Sequence, residues 1–294
     1  MSDKLSDVQA RIASVHELEA VVSAMRGIAA ARSREARSRL DGIRACADMI
    51  GTAIGEALML DERSEPPAIP DARVGEQVMI ILCAEQGFVG TFNEHVIEAA
   101  MHHVRPDSTE YFLIGDRGVA VATEHGLPVG WSAPMVAHAG EVSALADRIT
   151  EALYERLDAG RVTRVTVLHA VPKLSATIEI VEQALLPFDF RRFTRATRRI
   201  APLVTLPPQR LLAKIAEEYV YAQLCEAIML SFAAENEARM QAMIAARTNV
   251  HNTLDQLIGD FRRLRQEEIT SEIVELASGS LAASDVRRKP STKS

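Results

Sequence analysis

The sequence predicts an α/β domain inserted into a long antiparallel α-helical coiled coil. Three observations carry this. No proline occurs before Pro66. After Pro208 none occurs until Pro290, and the only glycines in that stretch are Gly259 and Gly279. Between these ends, Pro and Gly recur at the pace of a folded domain, and β-branched runs alternate with segments of helical spacing.

The first segment, residues 1–60, is apolar at Leu5, Val8, Ile12, Val15, Leu18, Val22, Met25 and Ala29. Steps of three and four mark a coiled-coil seam, and the extra step of three from Val15 to Leu18 predicts a local overwinding. The last segment, residues 209–283, repeats the pattern at Val250, Leu254, Leu257, Phe261 and Leu264. At 1.5 Å per residue, about 65 residues of helix span roughly 100 Å, whereas a compact chain of this length has a radius of gyration of about 20 Å. Such a helix must project, and its apolar stripe needs a cover. The N-terminal helix is the available one, which places the middle of the chain at the far end of an antiparallel pair.

Residues 61–73 (DERSEPPAIPDAR) form a linker, and residues 74–205 the inserted domain. Within it, VMIILC (78–83), YFLIG (111–115), VTRVTVLHAV (162–171) and ATIEIVEQALL (176–186) are the expected strands, the last at an edge. Helices are expected near 94–104, 116–125 and 143–157. Strands alternating with helices imply a largely parallel sheet covered on both faces. A basic tail, residues 284–294, is expected to be disordered.

Composition excludes several functions. The net charge is −7, against the basic excess of a nucleic-acid binder. The cysteines Cys46, Cys83 and Cys225 lie far apart and odd in number, which fits a reduced compartment better than a disulfide framework. The opening MSDKLSDVQARIASV lacks the apolar core of a signal peptide, and the longest apolar runs are too short to cross a bilayer, so work at a membrane would go through partners.

The stretch CAEQGFVGTFNEHV (83–96) raises the question of a nucleotide site, because a strand runs through Gly87 and Gly90 into a helix. A dinucleotide fingerprint needs a further glycine where Glu85 stands, and a P-loop needs a Lys and a Ser or Thr that are missing. A structural turn is the better reading. Gly87 and Gly90 then serve positive φ, Asn93 caps the helix, and Glu85 is dispensable. The second glycine turn, IGDRG (114–118), is also incomplete as a phosphate motif, with Asp116 a possible cap. His102 and His103 are adjacent, which is not a metal spacing on a helix. Arg26, Arg32, Arg34, Arg37, Arg39 and Arg44 face only Glu35 and Asp41 in their span. They are either a solvated face or a basic surface for an acidic partner. Arg265, Gln266 and Thr270 lie where a covered helix needs only an apolar seam, and either are solvated or touch a partner.

Two segments now support a resemblance. SFAAENEARMQAMIAARTNVHNTLDQLIGDFRRLRQEEITSEIVELASGS (231–280) and DVQARIASVHELEAVVSAMRGIAAARSREA (7–36) resemble, nearly position by position, the two shaft helices of the gamma subunit of F-type ATP synthases. The order of segments agrees over nearly the whole chain. In that family the middle domain is Rossmann-like without binding a nucleotide, and its turn reads Ser-Asp-Arg-Gly-Leu-Cys-Gly followed by Asn. Here AEQGFVG (84–90) keeps the glycines and Asn93. Gly27 stands where the family has a Met, so the shaft is softer or more closely approached there. VTLPPQ (204–209) lacks the family's Glu before Pro, which bears on contacts at the foot of the rotor. These departures suggest a divergent or second-copy ATPase.

The resemblance implies a non-catalytic central rotor shaft with no cofactor or metal. Its expected partners are three alpha and three beta subunits, an epsilon subunit and a c-ring. The expected place is the cytoplasmic side of a bacterial plasma membrane, as a peripheral part of the complex. Met25, Arg26, Arg265, Gln266, Thr270 and Glu272 are the positions expected to meet beta-subunit loops. A free-standing coiled-coil adaptor and a nucleotide-binding α/β enzyme are the alternatives.

Overall fold

In the computed structural model the described residues are 2–60, 76–102, 108–160, 162–173, 178–194 and 203–287, with side chains described from residue 4 to residue 278. The expected linker and the end of the basic tail fall outside them, as do residues 195–202. Two compact units divide the chain. One is Met1–Met25 with Met243–Ser294, the other Arg26–Ala242. Helix α1 (Ser2–Ala57) and helix α5 (Pro208–Arg287) contribute to both. Pro208 suits the first position of α5, where no intrahelical N–H bond is lost.

The larger unit is built on a five-stranded sheet of order β3-β2-β1-β4-β5. Strands β1 (Glu76–Leu82), β2 (Thr109–Ile114), β3 (Val129–Ala133) and β4 (Val162–Pro172) are parallel, and β5 (Ile178–Leu186) closes the edge antiparallel to β4. β3 was not foreseen. VGWSA is short, carries a glycine and lacks a β-branched run, so its strand state rests on pairing with β2 rather than on its own sequence.

Alternation on β1 splits the core. Val78, Ile80 and Leu82 face one side, Met79, Ile81 and Cys83 the other. Helices α2 (Phe92–His102) and α3 (Asp116–Glu124) belong to the second side. The first is covered by α4 (Val142–Asp158) and also by α1 and α5 themselves, through Ala36 and Leu40 and through Leu224, Ile228, Met229 and Phe232. Within this unit the long helices are thus one layer of the α/β core. The stretch LCEAIMLSFAAE of α5 is apolar on nearly every side because sheet and α1 enclose it, and a helix apolar all round is a buried one. Polar contacts fix the pairing of α1 with α5. Glu237 accepts from Ser33 Oγ at 3.3 Å and from Arg37 Nη2 at 2.9 Å, and Glu226 accepts from Arg44 Nε at 2.7 Å.

In the smaller unit α1 turns Leu5, Val8, Ile12, Val15, Glu19 and Val22 inward, in regular steps of three and four. Leu18 is 50% exposed and Val21 52%. The overwinding expected at Leu18 is therefore absent: Glu19 holds the seam position, its carboxylate 4.0 Å from Arg247 of α5. Met243, Val250 and Leu254 are the buried residues opposite. A Cβ at Gly27, in the larger unit, would meet nothing within 4 Å, so no close approach explains that glycine. Its conformational cost in the helix, about 1 kcal/mol relative to Ala, stands unoffset by packing.

His169 on β4 is 2% exposed and its Nδ1 has no hydrogen-bond partner among the described residues. Burial depresses its pKa to about 4, against the opposing charge of Glu226. Above the unfolded value of about 6.5 the ring is neutral in both states. As pH falls from 6.5 toward 4, the unfolded chain takes a proton that the folded chain refuses, so stability is lost over that window, by about 3 kcal/mol at its lower end. Denaturant unfolding of the full chain at pH 7 and pH 4.5 measures this. His169→Gln should flatten the acid limb, and an identical limb in both proteins would assign the loss to other groups.

Candidate functional site

The turn after β1 is held from four directions. Asn93, buried on the first turn of α2, accepts from the backbone N–H of Ala84 at 2.9 Å. It thus pins the strand end rather than capping its own helix. Glu85 Oε2 accepts from Met135 N at 2.8 Å and from Asp116 N at 3.2 Å. One carboxylate therefore ties the ends of β1, β2 and β3, and it fills the anion position over the start of α3. Asp116 makes no capping bond of its own, because Glu85 supplies the acceptor. The expectation that Glu85 is dispensable is corrected on this point.

Arg239 of α5 completes the hold. It is 6% exposed, donates to the carbonyls of Gln86 and Gly87 at 3.2 and 3.3 Å, and pairs with Glu235 at 2.6 Å. Burial holds the Glu235 carboxyl above the usual carboxylate range even with Arg239 beside it. Burial also pushes the Cys83 thiol up, leaving it a neutral core group.

Backbone geometry revises the reading of the glycines. Gly90 has φ +60°, but the other left-handed residue of the turn is Phe88 at +63°, not Gly87. Phe88 is also 64% exposed. A bulky residue in that region is strained, and the anchored carbonyls on either side of the turn hold it there.

On the long helices the predicted contact residues fall into two groups. Met25 and Arg26 are half-buried on α1. Arg265, Gln266, Thr270 and Glu272 are all exposed on α5. Neither the Arg265 nor the Gln266 side chain has a hydrogen-bond or ion-pair partner among the described residues. Thr270 donates its hydroxyl proton to the Gln266 carbonyl at 2.7 Å and so offers a partner only an acceptor. Beyond them Ile269, Ile273, Val274 and Leu276 are 43–74% exposed, an apolar surface that the polar reading of this segment passed over. Of the six arginines between Arg26 and Arg44 on α1, Arg37, Arg39 and Arg44 bind Glu237, Glu35 and Glu226. Arg26, Arg32 and Arg34 have no such acidic partner among the described residues. His102 Nδ1 donates to the Glu98 carbonyl of its own helix at 2.7 Å, and His103 lies outside the described residues. Among the described residues no group of three or more His, Cys, Asp or Glu is placed to hold a metal, and no helix is long and apolar enough to cross a membrane.

These features define a class of proteins in which two long helices form a layer of an α/β core and both carry polar groups without partners among the described residues. The ATP synthase family profile matches residues 4–283, and the chain belongs to the gamma-chain branch of that family. The ATP synthase gamma chain of Solibacter usitatus (strain Ellin6076) is 28% identical over 295 residues, covering 95% of this chain and 99% of the relative. Among solved structures, the rotor of the Euglena gracilis mitochondrial ATP synthase has the same fold. It is 12% identical with a TM-score of 0.64, over 92% of this chain and 100% of that one. The central stalk and c-ring structure of the Tetrahymena thermophila mitochondrial enzyme is 18% identical with a TM-score of 0.56, over 77% and 99% of the two chains.

The turn yields a graded prediction for stability. Glu85→Ala removes an acceptor from two backbone N–H groups and should cost about 2 kcal/mol. Gly90→Val should cost more than about 1 kcal/mol through its left-handed backbone, whereas Gly87→Ala should be nearly neutral, with only Arg117 Nε at 4.0 Å from the new Cβ. Denaturation midpoints of the three variants give the order. Equal losses at both glycines would refute the dihedral argument.

Proposed function

We propose that the chain works as the central-stalk rotor of an F-type ATP synthase, passing rotation between a membrane c-ring and a catalytic hexamer of three alpha and three beta subunits, with an epsilon subunit beside it. The chain brings no catalytic group in this reading. It biases the beta subunits toward different nucleotide affinities by making different contacts in each orientation. The observation that carries the reading is the end of α5. A helix that leaves Ile269, Ile273, Val274 and Leu276 in water, 43–74% exposed, needs a cover that none of the described residues supplies. A socket in a surrounding hexamer supplies it. Arg265 and Gln266, whose side chains have no partner among the described residues, then meet beta-subunit loops, with Glu272, Met25 and Arg26 as further contacts. Arg26, Arg32 and Arg34, without an acidic partner among the described residues, suit acidic segments of the same partners.

The complex would lie on the cytoplasmic face of a bacterial plasma membrane, coupling ion flow to ATP synthesis. Gly27, the AEQGFVG turn and VTLPPQ support a divergent form of the enzyme. With the Glu85 carboxylate over the start of α3, a nucleotide-binding role for the body has little support.

The test is ATP turnover per assembled complex, normalised to this chain. Arg265→Ala and Gln266→Ala should leave folding and copurification with alpha and beta unchanged and cut turnover several-fold, because a charge-assisted bond contributes about 1.5–3 kcal/mol. Thr270→Val should do less, its donor being spent within the helix. Unchanged turnover in both Arg265→Ala and Gln266→Ala would show that these side chains are merely solvated. A chain that fails to bring down alpha and beta would remove the rotor reading itself.

A further inference from the structure

Between α4, β5 and the first turns of α5 lies a half-open cleft of about 240 Å3. Its walls are Leu153, Leu157, Leu185, Phe188, Val220 and Leu224. Thr150, Tyr154, Tyr221 and Glu217 are the polar residues among those that line it. That is the make-up of a ligand pocket, an apolar body with a few convergent polar groups. At ~30 Å3 for a group of water size, the space holds about eight such groups.

Charge at the mouth selects the ligand. Burial first, and then Glu217, push the Tyr154 hydroxyl up, with Glu218 acting the same way and Lys214 against it. Tyr154 therefore stays a neutral donor toward Glu217. Burial raises the neighbouring Tyr221 hydroxyl to about 12, with Asp147 acting the same way. Lys214 binds Glu217 at 2.6 Å, and the charge of Arg210 reaches Lys214 from the same helix. A carboxylate has about four acceptor positions, of which Tyr154 and Lys214 take two. Another cationic donor finds free lone pairs there, whereas an anion meets Glu217, Glu218 and Asp147.

We propose that this cleft is a binding site for a small amphiphilic amine, its aliphatic chain against the leucines and Phe188 and its ammonium group on Glu217. The site shares no residue with Met25, Arg26, Arg265, Gln266 and Glu272, the proposed contacts to beta-subunit loops.

Calorimetric titration of the full chain, in the form in which it purifies, with n-octylammonium, n-octanol and n-octanoate tests it. Octylammonium should saturate at one per chain. Octanol should bind about tenfold more weakly, as befits one charge-assisted bond, and octanoate more weakly still. Glu217→Gln, at a half-exposed position that folding tolerates, should bring octylammonium down to the level of octanol and leave octanol unchanged. Ala216→Phe, which fills the cleft, should remove both. No saturable binding, octanoate as tight as octylammonium, or octylammonium unaffected by Glu217→Gln would each overturn the assignment. Binding that survives Ala216→Phe would mark general association with exposed apolar surface and overturn it equally.

Discussion

The middle of α5 is the piece on which the rest depends. From Leu224 to Arg239 it is enclosed by α1 and by the sheet at once, and its polar residues are spent on both. Glu226 and Glu237 hold α1, Ser231 donates to the Leu82 carbonyl at 3.2 Å, and Arg239 holds the turn after β1. Losing one partner of the Glu235–Arg239 pair would strand a buried charge, which costs more than the pair contributes. Within the larger unit this part of α5 is thus a piece of the core.

The turn after β1 shows how a nucleotide-type topology can be put to structural use. The sheet order places the strand-end crevice beside β1, where such folds hold an anion against a helix start. Glu85 occupies that place from within the chain, and the N–H groups that would greet a phosphate are spent on it. The turn bears a strained Phe88 outward, and strain of this kind persists only where surrounding contacts over-determine the backbone.

Much of this was legible in sequence, for identifiable reasons. The absence of proline over two long stretches and the steps of three and four announced α1 and α5, and four of the five strands followed from β-branched runs. The failures share a cause: local pattern does not report tertiary partners. Leu18 looked like a seam residue because leucine is apolar, but Glu19 is the inward one because Arg247 stands opposite. VGWSA gave no strand signal of its own. Glu85 looked like an obstacle to phosphate, which is sound, yet nothing in its neighbours in sequence reveals Met135 N or Asp116 N as its donors. Asn93 and Asp116 were read as caps by residue type, and the geometry gives the first a partner in β1 and the second a cap from Glu85. At the candidate contact surface, Arg265 and Gln266 were visible as polar residues out of pattern, while the apolar Ile269, Ile273, Val274 and Leu276 blended into the helix they extend.

The pairing of Ser33 with Glu237 joins residues 204 apart in sequence. During synthesis, α1 leaves the ribosome with its apolar stripe complete and its cover not yet made. At roughly 5–20 residues per second, the wait lasts on the order of 10–40 s. For that time the nascent chain carries an unshielded amphipathic helix longer than any of the segments that follow before α5. The fold therefore places a burden on the cell's holding chaperones that its final stability does not reveal, and variants that slow completion of α5 should be lost to aggregation before they are ever weighed as rotors.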